Sequence, residues 1–367
     1  MTNEPYTVGN LVTLLSRYYR DNSLDVSSIH RRELAFERWG DKEGPSLRPV
    51  SFETLSELNE FITQYPYAGV YSSVGYYLDP NETDMSKKDL RKTDLVFDID
   101  MSMEGMNRRS FLSFVCAHTK KLIDEFLVRD FGIPREKILL DFSGNKGFHI
   151  TIDGDEYRNL DQADRRQIVD YIMAVKVDKN TLFPASRTQM AQSPPISGGW
   201  TRHARKLIDA LLEIPTDNNI TDVLLELGFP KVRVRRIGYL LQQPNVRRGL
   251  EAGNLNDLVR GDIKILWDLQ NIVLRTHRRG LSNVLDRAVT TSTHRLFRVP
   301  GSIHRKSGLP CMRLDIDDLQ SPDFIFEKLI GQLGDEEVDI ELGNTVTIDL
   351  HKTETLEPGR YTLPRWK

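Results

Sequence analysis

Two aspartates, Asp98 and Asp100, end the apolar run Leu95-Val96-Phe97-Asp98-Ile99-Asp100. In a strand, alternate side chains share a face, so the two carboxylates would point the same way, roughly 6.6 Å apart at about 3.3 Å per residue. Like charges at the end of an apolar strand repel and resist losing water, and a divalent cation is the simplest compensation. Exposed acids at a strand end carry the same spacing, so the pair alone leaves both readings open. A second group is Ser143-Gly144-Asn145-Lys146-Gly147-Phe148-His149. Its two glycines flank Lys146, so backbone N–H groups and an ammonium can approach an anion such as a triphosphate, and a following strand presents His149 opposite Phe148 and Ile150. The Gly-Lys-Ser/Thr order of a Walker loop is missing. A glycine hairpin with an incidental histidine is the plainer alternative.

The third group runs from Asp286 to Gly308 and holds Arg295, Arg298, Pro300, Ser302, His304 and Lys306. Its basic side chains are too many for one helix cap or one salt bridge. Arginine engages phosphate oxygens in pairs and lysine as a point charge, so a nucleotide is the natural ligand; a basic surface loop is the alternative.

These groups need elements to hold them. Helical apolar spacing runs from Leu11 to Tyr19 and from Leu55 to Ile62, with Tyr65-Pro66 as a stop. Val70 to Tyr77 reads as a strand ended by Asp79-Pro80, Leu95 to Ile99 as a strand, Phe111 to Phe131 as a helix, and Ile138 to Asp141 and Phe148 to Ile152 as strands joined by the 143–147 turn. From about Leu160 to Arg279 the signals are helical (Ala163 to Val175, Arg202 to Leu212, Ile220 to Leu227, Leu255 to Arg279), around a loop over Pro184 to Gly199. Short strands return at Arg295 to Val299, Cys311 to Asp315 and Thr345 to Leu350. The expected fold is an α/β core, residues 1–160 and 281–367, interrupted by a helical subdomain, 161–280.

The chain has 367 residues, of which 39% are hydrophobic and 28% charged, which excludes a coiled coil, a collagen and an acidic disordered tail. Two cysteines, Cys116 and Cys311, cannot supply a disulfide framework. The N-terminus shows no basic start with an apolar run, and no stretch approaches the roughly 18 apolar residues of a membrane span, so the expectation is a cytoplasmic protein with no membrane partner. Net charge is −3, but positions 231–280 hold eleven Lys and Arg against four acids, whereas 311–350 hold eleven acids against two bases. Such segregation permits a nucleic-acid face on a chain that is nearly neutral overall.

Together the three groups resemble the small catalytic subunit of the archaeal and eukaryotic replicative DNA primase, and the resemblance covers nearly the whole chain. Arg31-Arg32-Glu33-Leu34-Ala35-Phe36 and Val70 to Tyr77 are similar to its early blocks, Asp98 and Asp100 to its Asp-x-Asp pair, and Ser143, Gly144, Gly147 and His149 to its Ser-Gly-x-x-Gly-x-His signature. Arg165 to Tyr171 is similar to a helix that follows. Asp286 sits where its third metal-binding aspartate is expected, followed by the nucleotide-binding block from Arg295 to Gly308. The resemblance implies a primase-type, mixed-sheet catalytic core and template-directed nucleotidyl transfer. Asp98, Asp100 and Asp286 would hold two Mg²⁺ or Mn²⁺ ions. Lys146, His149, Arg295, Arg298 and His304 would bind the triphosphate, with Ser143 and Lys306 as second candidates. It also implies a single-stranded DNA template tracked by the basic 231–280 face, nucleoside triphosphates as substrates, and a large subunit carrying an iron–sulfur cluster. The archaeal members usually carry a zinc knob after the Asp-x-Asp pair; here only Cys116 and His118 are available, so no zinc is expected. Two other readings stand beside this one: a self-sufficient primase-polymerase that mainly extends 3′ ends, and a non-catalytic nucleic-acid-binding protein.

Overall fold

The computed structural model describes residues 8–39, 42, 44–101, 108–183, 199–215, 219–281, 284–333, 337–349 and 353–364. The strands in chain order are β1 (Leu34–Glu37), β2 (Leu47–Val50), β3 (Gly69–Ser73), β4 (Gly75–Tyr77), β5 (Leu90–Thr93), β6 (Leu95–Asp100), β7 (Ile138–Phe142), β8 (Gly147–Ile152), β9 (Leu296–Arg298), β10 (Met312–Leu314), β11 (Glu337–Leu342), β12 (Val346–Asp349), β13 (Thr353–Leu356) and β14 (Gly359–Pro364). The helices are α1 (Val8–Asp21), α2 (Leu55–Gln64), α3 (Arg108–Lys121), α4 (Asp155–Arg158), α5 (Gln162–Ile172), α6 (Lys179–Leu182), α7 (Gly199–Glu213), α8 (Ile220–Leu227), α9 (Lys231–Leu241), α10 (Pro244–Glu251), α11 (Asn256–Val259), α12 (Lys264–Leu281), α13 (Arg287–Thr291) and α14 (Pro322–Leu333).

The chain divides into two compact units, one of Met1–Lys120, Pro134–Arg166 and Val284–Lys367, the other of Lys121–Ile133 and Gln167–Asn283. The first is the α/β unit. Its two four-stranded sheets have the orders β2-β1-β3-β9 and β10-β7-β8-β6, and every pairing between the described strands is antiparallel. The run from Val70 to Tyr77 is therefore not one strand. It breaks at Val74, leaving β3 in the first sheet and β4 paired with β5 in a two-stranded ribbon. Apolar side chains of α1 and α2, among them Leu15, Tyr18, Tyr19, Leu58 and Ile62, pack with Leu34, Phe36 and Val70 of the first sheet into one buried core.

A charged network beneath the start of β6 carries no water-facing explanation. Arg32 reaches Asp94 at 2.5 Å and also donates to the carbonyls of Ser73 and Val74. Arg158 Nε donates to the other Asp94 oxygen at 2.9 Å, as does the Tyr76 hydroxyl. Arg165, buried on α5, donates to the carbonyls of Thr93 and Asp94. Here both Asp94 oxygens are met by donors and each buried guanidinium is hydrogen-bonded, the condition under which an internal polar network holds a fold together.

The second unit is helical. Between Leu122 and Val128 the chain winds in wider π turns that place Glu125, Phe126 and Asp130 with α7. Arg202 donates to Glu125 at 2.6 Å and to Asp130 at 2.8 Å, and His203 and His277 lie edge to face with ring centres 4.2 Å apart beside Phe126 and Trp200. The spacing from Leu255 to Arg279 predicts one helix, but the structure has two: α11 ends at Arg260-Gly261, where Gly261 takes φ +77°, before α12 starts. The helices α9 and α10 were not anticipated. Of the Pro184 to Gly199 loop, only Gly199 lies among the described residues, as the first residue of α7.

Replacing Asp94 by Ala strands the buried Arg32 without its carboxylate, while Arg158 keeps Asp153 and Asp155, and is expected to cost about 3–5 kcal/mol in thermal or denaturant unfolding. Arg91→Ala, which breaks an exposed pair with Asp89, should cost under about 1 kcal/mol. Equal costs would show that the network does not hold β6. In the helical unit, burial first, then the neighbouring His203, Lys121, Lys206 and Arg202, push the His277 imidazole down to about 2. The unfolded chain then binds a proton near pH 6.5 that the fold refuses, so stability falls as pH drops below about 6.5, by about 1.4 kcal/mol per pH unit for this group. A His277→Phe variant should unfold with a shallower dependence on acid, read by circular dichroism; an unchanged slope would place the titration elsewhere.

Candidate active site

The site is built across the second sheet. Antiparallel register sets Asp98 of β6 opposite His149 of β8, His149 opposite Asp141 of β7, and Asp141 opposite Arg313 of β10. Cross-strand partners share a face, so one polar row crosses the sheet. Its far end is neutralised, because Arg313 Nε donates to Asp141 at 2.5 Å. Its near end is not. The His149 Nε2 lies 3.8 Å from Asp98 Oδ1, but burial first, with the Arg298 charge second, pushes this imidazole down to about 3, so it is neutral and gives Asp98 no counter-charge.

The third aspartate arrives by a backbone splice. The segment Val284 to Asp286 lies along the free edge of β6: Asp100 N donates to Val284 O at 2.8 Å, Asp286 N donates to Asp98 O at 2.9 Å, and Ile99 and Leu285 form a β-bridge. One oxygen of Asp286 then caps α13, accepting from the N–H groups of Ala288 (2.8 Å) and Val289 (3.2 Å). Asp98 is pushed up to about 7, by burial first and then by Asp100 and Asp286. Asp100 is raised as well, again by burial, although the Met101 N–H and the Lys146 charge pull the other way. Asp98 and Asp100, both raised, stand with Asp286 as a hard-oxygen donor set suited to a divalent cation. Among the described residues, no three His, Cys, Asp or Glu side chains are drawn together as a formed coordination shell.

The turn after β7 is closed on itself. Ser143 Oγ accepts the Gly147 N–H at 3.2 Å, and Ser143 N donates to Gly147 O. Gly147 has no room for a side chain: a Cβ would stand 1.8 Å from the Ile99 carbonyl oxygen. Gly144 takes φ +90°, and a Cβ there would meet His304 Cβ at 2.8 Å. The turn is thereby stitched to the 304–308 loop, where the Ser307 hydroxyl donates to Gly144 O and Lys306 N donates to His304 Nδ1 at 3.2 Å.

All ten residues singled out in the sequence (Asp98, Asp100, Ser143, Lys146, His149, Asp286, Arg295, Arg298, His304 and Lys306) line one cavity of about 450 Å³ within the α/β unit. That volume is in the range of small-molecule sites. The first sheet closes it with Glu37, Tyr71 and Phe297, and the 304–308 loop adds Arg305, all residues that the sequence reading missed. Phe297 packs edge to face on His149, ring centres 4.6 Å apart. Arg298 differs from the other cations. It is buried, donating to Ile303 O at 2.9 Å and the Tyr71 hydroxyl at 2.6 Å, with Glu37 3.8 Å away. Burial pushes the Glu37 carboxyl up, but the Gly44 N–H, the Tyr71 hydroxyl, Arg305 and Arg298 outweigh it and hold it below the usual range. Away from the cavity on α3, the Cys116 thiol is buried and pushed up to about 12 by that burial, and His118 Nδ1 is engaged with the Phe114 carbonyl.

Similar proteins carry the same span. A family model described as DNA primase small subunit matches residues 97–316, a stretch that contains every one of the ten. The DNA primase small subunit PriS of Thermoplasma acidophilum is 28% identical over 90% of this chain and 88% of its own length. PriS of Haloarcula marismortui is 28% identical (95% and 92%), and PriS of Pyrobaculum arsenaticum 29% (93% and 94%). Among solved structures, the polymerase domain of Mycobacterium tuberculosis Ligase D in complex with DNA is 14% identical, with a TM-score of 0.35 over 84% of this chain and 82% of that one. With the match running unbroken from Phe97 at the metal-suited strand to Ile316 beyond the basic loop, the chain belongs to the DNA primase small subunit family.

Proposed function

We propose that the cavity is the nucleotidyl-transfer site of a primase catalytic subunit, which joins nucleotides on a single-stranded DNA template. The observation that carries this is the division of one cavity into an acidic edge, Asp98, Asp100 and Asp286, and a cationic wall, Lys146, Arg295, Arg305 and Lys306. An incoming triphosphate needs both. The three carboxylates would hold two Mg²⁺ or Mn²⁺ ions, which when bound supply Lewis-acid activation of a 3′-hydroxyl and neutralise the leaving pyrophosphate. No side chain has to act as nucleophile. Lys146, Arg295 and Lys306 would meet the phosphate oxygens and the charge that grows on them, and the neutral His149 would offer a hydrogen bond without adding charge beside Asp98. Arg298, tied to Tyr71 and Ile303 O, would act as a fixed donor whose position is set before the nucleotide arrives. Ser143 and His304 would shape the turn and loop that surround the triphosphate.

A small subunit implies a partner. Starting a chain means holding two nucleotides at once with no duplex to stack on, an entropic cost that extra protein contacts must offset. With two cysteines the chain cannot build a four-Cys cluster, so an iron–sulfur large subunit would be a separate protein. No helix of the described residues is long and apolar enough to cross a membrane.

Incorporation of labelled nucleotide on primed and unprimed single strands, with Mg²⁺ or Mn²⁺, tests the proposal. The isolated chain should extend primers far better than it starts them, and a large subunit should narrow that gap. Asp98→Ala and Asp100→Ala should each abolish incorporation while leaving metal-free thermal stability equal or higher, since each removes a repelling charge. Near-normal turnover in either would remove the aspartates from the chemistry. Arg295→Ala should raise the apparent KM for nucleotide roughly tenfold with template affinity unchanged. A loss of template binding with unaltered nucleotide KM would move Arg295 to the template.

A further inference from the structure

The helical unit has its own surface for a charged, flat-ringed ligand. Four large apolar side chains of this unit stand exposed among the described residues: Val232 (83%), Tyr239 (64%), Ile263 (48%) and Trp267 (52%). They are not scattered. Val232 and Tyr239 lie on one face of α9 with Arg235 and Arg236 between them, at the i, i+3, i+4, i+7 spacing of a single helical stripe, while Val234, Ile237, Gly238 and Leu241 face inward. Ile263 and Trp267 lie at the start of α12, with Lys264 beside them.

Two arginines lace these segments edge to edge. Arg233 Nη2 donates to Asp268 Oδ1 at 2.8 Å, tying the residue next to Val232 to the residue next to Trp267. Arg236 Nη2 donates to Arg260 O at 2.8 Å, tying the middle of the α9 stripe to the turn that leads to Ile263. Charge on this surface is mainly positive. The α9 sequence holds Lys231, Arg233, Arg235 and Arg236 with no acid; the single acid of α12, Asp268, is buried under Arg233, and Asp262, half-buried before α12, accepts the Lys264 N–H at 3.1 Å. Among the described residues, Lys231, Arg235, Arg260 and Lys264 form no ion pair.

We infer that Tyr239, Trp267, Arg235 and Lys264 form a binding platform for single-stranded nucleic acid, separate from the catalytic cavity. The exposed rings provide faces on which unpaired bases stack, and the cations interleaved with them meet the phosphates between those bases; this pairing of features binds single strands with little regard to sequence. A protein partner would be expected to meet an interface centre depleted of charge, whereas here cations sit between the apolar side chains and outnumber the two acids near them, Asp262 and Asp268. Duplex DNA offers no ring face to Tyr239 or Trp267. The inference rests on the proposed function only in taking a single strand as what the protein must hold.

Fluorescence anisotropy of labelled oligo(dT), oligo(rU) and duplex DNA with the full chain tests it. Trp267→Ala and Tyr239→Ala should each weaken oligo(dT) binding roughly thirtyfold, the middle of the range for losing one stacked base, with duplex binding little changed. Arg235→Ala with Lys264→Ala should also weaken it, and should flatten the log-log salt dependence by about 1.4, two phosphate contacts' worth for a single strand. Trp267→Phe should bind as the parent does but lose the fluorescence quench that oligo(dT) causes, since a ring remains but the indole does not. Oligo(rU) matching oligo(dT) would show a platform for either strand, and weaker oligo(rU) binding one that favours the DNA template; both sustain the inference. Parental oligo(dT) affinity in Trp267→Ala and Tyr239→Ala would overturn it, as would variants that lose only their association with a large subunit, which would make the face a protein interface. Incorporation on a saturating primed template separates this from the catalytic reading: the platform variants should retain it, while Asp98→Ala should lose it and still bind oligo(dT).

Discussion

The strand β6 is where the constraints of the α/β unit converge. Its free edge accepts Val284 to Asp286 through two backbone hydrogen bonds and a β-bridge, and that contact alone sets Asp286 beside Asp98 across 188 positions of chain. The segments that leave and rejoin the unit around residues 167–283 are both tied to this strand or its lead-in: Arg165 binds the carbonyls of Thr93, the last residue of β5, and of Asp94, the link into β6, and Val284 binds Asp100 at the end of β6. A long insertion adds only slowly growing loop entropy once its ends are fixed. Fixing both ends along the stretch from Thr93 to Asp100 lets the inserted unit exist without loosening that stretch.

The two ends of β6 treat buried acid in opposite ways. At Asp94, two arginines and a tyrosine hydroxyl satisfy the carboxylate, and the group holds the fold together. At Asp98, the nearest ring nitrogen is neutral, and burial first, then the neighbouring carboxylates, pushes the acid up to about 7. A protein that could compensate one end of a strand and leaves the other uncompensated a few residues on has kept a cost in stability. Such local inconsistencies mark functional sites, because there the missing charge is to come from a ligand.

Much of this was legible in the sequence because it depended on local order. The Asp-x-Asp alternation, the paired glycines around Lys146 and the basic run after Asp286 are short patterns whose physics requires no tertiary knowledge, and all ten residues they nominated line one cavity. Glu37 and Tyr71 were invisible as site residues, since each is a single residue in an ordinary strand and gains its meaning only where β1, β3 and β9 pair. The breaks at Val74 and Arg260-Gly261 escaped notice for a related reason. The apolar spacing runs on through both, and pairing with different partners, or one glycine at positive φ, overrides it. Helices α9 and α10 were hidden by their own charge, because a run of arginines lowers apparent amphipathicity although Val234, Ile237 and Leu241 still make a buried stripe.

Arg298 shows why nomination is not the same as role. By sequence it is one of several equivalent cations in a basic loop; in the fold it sits on β9, opposite Tyr71 of β3, with its guanidinium divided between a backbone carbonyl and a phenol. Gly69 makes this possible, since a Cβ there would fall 2.5 Å from Arg298 Nη1 and 2.9 Å from Glu37 Oε2. A cation held this way would meet the proposed triphosphate with its rotamer already fixed, so little conformational entropy would remain to be lost on binding, whereas Lys146 and Lys306, on turns, would follow it as it changes shape. The wall of the cavity thus combines a rigid donor fixed on a sheet with adaptable ones carried by stitched loops, and the contact between Phe297 and His149 keeps the sheets that bear them in register with the aspartates.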